Sequence, residues 1–123
     1  MQTNAEPEPV SRDVLLNVDL RHAKDTHRIE VRRIRMTPGH AAGLHVHNGP
    51  VVGSIVEGSV TFQVEGEPES VLGPGDVFFE PDGARIARFD ARADGVTFLA
   101  YFLLGPGEGR RSAFRTHSRA RQG

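Results

Sequence analysis

His45 and His47 stand one residue apart at the end of Pro38-Gly39-His40-Ala41-Ala42-Gly43-Leu44-His45-Val46-His47, and their spacing is the strongest chemical signal in the chain. In an extended strand alternate side chains share a face, so both imidazoles project to the same side, about two residue rises apart. Two imidazoles so placed can grip one metal ion or, without a metal, donate, accept and move protons. The same pair on a solvated strand edge does neither. The elements around it therefore determine what it does.

Turn signals recur at short intervals: Pro38-Gly39, Asn48-Gly49-Pro50, Glu57-Gly58, Glu65-Gly66, Gly73-Pro74-Gly75-Asp76, Pro81-Asp82-Gly83, Asp94-Gly95 and Gly105-Pro106-Gly107. Short strands are predicted between them. In Val60-Thr61-Phe62-Gln63-Val64-Glu65 the apolar residues alternate with Thr61, Gln63 and Glu65, the pattern of a half-buried strand. Further strands are predicted over 28–36, 51–56, 77–80, 85–89 and 96–104, with 14–20 adding one at the N-terminal edge. No segment carries a helical period. This is the pattern of an all-β sandwich or barrel.

The 123 residues suffice for one core and not for two ordinary domains. Residues 1–11 read as a flexible N-terminal tail, 12–109 as the folded domain and 110–123 as a basic C-terminal tail. With no cysteine the chain has no disulfide, thiolate nucleophile or Cys-ligated metal site. No apolar run reaches membrane-spanning length, and the first ten residues are polar rather than signal-like. A soluble, cytoplasmic protein with no membrane partner is expected. Arg110, Arg111, Arg115, Arg119 and Arg121 make the tail basic and leave the body acidic. The tail is read as solvated. No nucleic-acid partner is expected, since only Phe114 is interleaved there for stacking on bases.

The body resembles the small single-domain cupins (cupin type-2), β-barrels of jelly-roll or double-stranded β-helix type, over about residues 14–108. Two motifs carry the resemblance. Gly39, His45, His47 and Gly58 match a first motif of glycine, five residues, H-x-H, three or four residues, glutamate, six residues, glycine. Gly75, Pro81 and Gly83 match a second motif of glycine, five residues, P-x-G, two residues, histidine, three residues, asparagine. The glycines are expected where hairpins need positive φ or close backbone approach. Homodimers are usual for proteins resembling this family, which implies a second subunit over the apolar stretch 98–104, expected to be buried on both faces. The segment 14–20 is the other candidate cover.

The resemblance implies a metal held by two histidines and a glutamate of the first motif and a histidine of the second. Here the glutamate position holds Val51 and the second histidine position Ile86. The motifs are degenerate, and two imidazoles among hydrocarbon are too few for tight binding of iron, nickel, zinc or manganese. His40 is a minority third ligand. Two functional readings stay open. One is a small-molecule enzyme using His45 and His47 as catalytic groups, either with an incomplete metal site or as a metal-free isomerase or cyclase. The other is a non-catalytic module that binds a small organic ligand. Alternation from Ile86 turns Arg88 and Asp90 inward, so Arg88, Tyr101, Val51 and Ile86 are the candidate substrate contacts. A plain Arg88–Asp90 ion pair and a structural tyrosine are the competing readings.

Overall fold

A computed structural model describes residues 9–20, 25–107 and 115–116. Among them are seven strands and no helix: β1 (Arg28–Met36), β2 (His45–Val46), β3 (Val51–Val64), β4 (Ser70–Leu72), β5 (Val77–Glu80), β6 (Arg85–Leu104) and β7 (Arg115–Thr116). Every strand pairing is antiparallel. The predicted 28–36 and 77–80 strands are present with those bounds.

The segments predicted as separate strands on either side of Glu57-Gly58 and Asp94-Gly95 are instead continuous, forming the long β3 and β6. These two pair along their length, with register shifts at Ile55/Glu57, Gly58/Val60 and Gln63/Val64. Bulges bend a strand pair rather than ending it. The first half of β3 and the second half of β6 thus lie between β5 and β1, while their other halves join β4 and β2. Gly58 makes the bend possible: its φ is +79°, and a Cβ there would run into the backbone of Gly95. The turn-like dipeptides are therefore the bulge itself.

Four phenylalanines hold the two halves together. Phe78 of β5 packs against Phe89 of β6 at 5.1 Å between ring centroids, Phe89 against Phe98 at 4.8 Å, and Phe62 of β3 against Phe78 at 5.7 Å. Beyond the roughly 1.5–3 kcal/mol from burying each ring, such tilted and edge-on pairs contribute about 0.5–1.5 kcal/mol. Gly53 admits Phe78 to this cluster, because a Cβ on Gly53 would occupy the space of the Phe78 ring.

Two expectations are corrected. Residues 14–20 form no strand, and Val14 and Leu15 are exposed, since no neighbouring strand pairs with them. The stretch 98–104 is buried on one face only: Phe98, Ala100, Phe102 and Leu104 point into the core, while Leu99, Tyr101 and Leu103 are half-buried on the outer face, opposite the exposed Ile29 and Val31 of β1. Within the basic tail, residues 115–116 pair with β2. The remainder of that tail, and residues 1–8 of the N-terminal one, lie outside the described residues.

Candidate metal centre

The short strand β2 places His45 and, just beyond it, His47 on the same inner face, as their spacing requires. Their exposures are 3% and 6%, and the rings meet edge to face at 5.1 Å. A third polar side chain joins them. Along β5, burial alternates so that Phe78 and Glu80 face inward together, and Glu80 is 3% exposed. His47 Nε2 lies 2.6 Å from Glu80 Oε1, and His45 Nε2 lies 3.9 Å from the same oxygen.

His45 Nδ1 is 2.8 Å from the carbonyl oxygen of Gly43. A carbonyl only accepts, so Nδ1 donates, and Nε2 is the ring nitrogen directed to the cluster, where it can ligate an ion when unprotonated. Burial pulls the His45 pKa down, but the Glu80 carboxylate and the Gly43 carbonyl outweigh it and hold His45 above its ordinary 6.5. Burial likewise pushes Glu80 up, yet hydrogen bonding from His45 and His47 and their charge hold it below 4.5. A lowered value favours the ionised carboxylate, and a buried carboxylate is expensive unless a cation or hydrogen bonds compensate.

The ligand atoms of His45, His47 and Glu80 all lie within 4.8 Å of one another, and the three could hold a metal ion. Two imidazoles and one carboxylate form a catalytic-type set, with positions left for water or substrate. The donor chemistry thus fits a divalent transition metal. The two-histidine shell expected from the sequence is corrected to three donors, because Glu80 stands directly across from Val51 in the β3–β5 pairing. The carboxylate absent from position 51 enters the same cavity from the neighbouring strand.

The cavity measures about 380 Å³, and besides these three residues it is lined by Val51, Phe102, Arg32 and His40 among others. Val51 is thus brought to the site, and His40 faces the cavity but stands outside the three-residue cluster. Ile86 pairs with His45 across β2 and β6 but is wholly buried in the core rather than lining the cavity. Arg88 is not brought to the cavity. The register shift at Gln63/Val64 breaks the alternation begun at Ile86, so Phe89 turns inward and Arg88 outward. There Arg88 pairs with Glu69 at 2.7 Å and with Asp90 at 3.1 Å. Tyr101 sits on the outer face, opposite Val31 and Val52. Glu80 was missed by sequence reasoning, although an acid two residues from Phe78, in phase with an inward aromatic, is a readable signal.

The antiparallel double-layered fold and the inward H-x-H strand define a cupin. The family model described as "Cupin domain" matches residues 32–96, and the chain belongs to that family. No curated protein matches the chain. Among solved structures it is similar to the DMSP lyases RdDddP and RnDddQII at 26% identity and a TM-score of 0.61, over 72% of this chain and 43% of theirs. It is similar to a tryptophan-to-tyrosine variant of the oxalate decarboxylase of Bacillus subtilis at 26% identity and a TM-score of 0.57, over 71% of this chain and 24% of that one. A further structure of that decarboxylase, concerned with its Mn(II) centres, is 27% identical with a TM-score of 0.57, over 71% and 24% of the two chains. A double-stranded β-helix protein from Klebsiella pneumoniae, 16% identical with a TM-score of 0.58 over 75% and 76%, shares the fold. The chain spans less than half the length of the lyases and about a quarter of the decarboxylase.

Proposed function

We propose that this cupin is a metal-dependent enzyme that acts on a small organic molecule inside the barrel, with His45, His47 and Glu80 holding one divalent transition-metal ion. The observation that carries the reading is the buried Glu80 carboxylate, one oxygen of which lies 2.6 Å from His47 Nε2 and 3.9 Å from His45 Nε2. A resident metal would supply Lewis acidity at an open coordination position. The chain's own residues do the rest: the Gly43 carbonyl fixes the His45 ring, and Val51 and Phe102 keep water from the inner wall of the cavity. The lyase and decarboxylase similarities support small-molecule chemistry for this scaffold, and manganese is the first metal to try.

A second reading rests on the 2.6 Å contact between His47 and Glu80. A carboxylate bonded to an imidazole is also a proton-transfer pair, as a metal-free isomerase or cyclase would use.

Calorimetric titration of the chelated protein with manganese, iron, nickel and zinc in turn tests the proposal, followed by turnover assays of the loaded protein with oxalate and DMSP. One ion per chain, abolished in His45→Ala and in Glu80→Gln, supports the metal enzyme. Absence of binding by all four metals overturns it and leaves the proton-transfer reading. Turnover lost on substituting either histidine separates an enzyme from a binding module, in which ligand affinity would change only modestly.

A further inference from the structure

The strand register places two rows of residues side by side on the inner face of β5, the first half of β3, the second half of β6 and β1. One row runs Glu80, Val51, Phe102, Glu30 across β5, β3, β6 and β1; the next runs Phe78, Gly53, Ala100, Arg32. Gly53 and Ala100 are the smallest residues in these rows. The Phe78 ring lies over Gly53, and the cavity runs from that ring past Ala100 to Arg32, all three lining it.

Arg32 is held in place there. Its guanidinium carbon sits 4.0 Å from the centroid of the Phe102 ring, and the same ring meets His47 at 6.1 Å. Glu30 takes one edge, accepting from Arg32 Nε at 2.6 Å. The buried Nη2 also lies 2.6 Å from that oxygen, yet it makes no well-aligned hydrogen bond among the described residues. Arg28, half exposed, also approaches Glu30, at 3.8 Å.

We propose that Arg32 is a substrate-binding residue and that the cavity takes a small monocarboxylate, its carboxylate facing the guanidinium and the metal side and its body against the apolar wall. The inference rests on the metal reading for the second positive charge that faces the carboxylate. With its Nε–Nη2 edge braced on Glu30, the planar guanidinium can donate to a carboxylate from Nη1. Charge balance points the same way: a divalent ion with one carboxylate ligand carries one surplus positive charge, which a monoanion cancels in a cavity of low polarity.

The test is calorimetric binding of butyrate and of its neutral isostere butyramide to the metal-loaded full chain, with metal content measured on the same samples. Butyrate is expected to bind and butyramide at least tenfold more weakly. Arg32→Gln is expected to lose at least tenfold in butyrate affinity with its metal content unchanged. If Arg32→Gln does not fold, Arg32→Lys, which keeps the charge but not the planar fork, is expected to bind butyrate severalfold more weakly than the parent. Equal affinity for the acid and the amide, parental affinity in the folded variant, or no butyrate binding by metal-loaded parent overturns the inference. Arg32-dependent butyrate binding by a protein that takes up none of the four metals upholds it while the metal reading fails, so the two fail separately.

Discussion

Val51 and Glu80 are direct cross-strand partners on β3 and β5, both facing the cavity that holds His45 and His47. The first cupin motif carries its glutamate at the position of Val51. Here the carboxylate stands on the partner strand instead, and the inner wall still presents one acid to the two imidazoles.

The carboxylate can be moved back to position 51. Glu80→Val is expected to weaken metal binding by more than the ~10–100-fold that loss of an outer-shell partner costs. Val51→Glu combined with Glu80→Val returns a carboxylate to the same face and is expected to recover most of that loss. Metal titration of the parent, the single variant and the double variant reads the result. If the double variant stays as weak as the single one, position 51 does not reach the same centre.

The metal-free protein is expected to be most stable between about pH 4.5 and 6.5. Glu80 titrates below its ordinary value, so its contribution is fully present above 4.5 and is lost as pH falls through its lowered value. His45 titrates above its ordinary value, so its contribution is fully present below 6.5 and is lost as pH rises through its raised value. Thermal melts of the chelated protein across pH check this, and in Glu80→Gln the alkaline loss is expected to shrink. Adding metal reverses the trend near neutrality, because protons compete for the same imidazoles. A Tm of the chelated protein that falls neither at pH below this window nor at pH above it would contradict the buried cluster.

Gly53→Ala places a methyl group where the Phe78 ring lies. Overpacking of this kind costs about 1–3 kcal/mol. Phe78→Leu shortens the obstructing side chain, so the double variant is expected to be more stable than the two single losses added together. Denaturant melts of the four proteins measure that coupling.

Much of this architecture was legible in the sequence. The 28–36 and 77–80 strands followed from turn signals and alternation, and the glycines matching the two motifs, Gly39, Gly58, Gly75 and Gly83, all adopt positive φ. The bulges were not legible. Glu57-Gly58 reads as a hairpin turn in composition, and only its apposition to Gly95 shows that the chain bends there and continues. The same limitation displaced Arg88, because a one-residue register shift after Ile86 reverses which side chains face inward. Glu80 was partly legible: its face follows from Phe78, whereas its nearness to His47 depends on the β3–β5 register and on how the bent sheets bring β2 to that wall.

Anomalous diffraction at the zinc edge, from crystals of the zinc-loaded full chain, addresses the assignment of Glu80 most directly. The structure predicts one peak per chain, about 2.0–2.2 Å from nitrogens of His45 and His47 and from a Glu80 oxygen, with the His47–Glu80 contact replaced by bonds to the ion. A peak that leaves Glu80 bonded to His47, or no peak between these three side chains, would contradict the account.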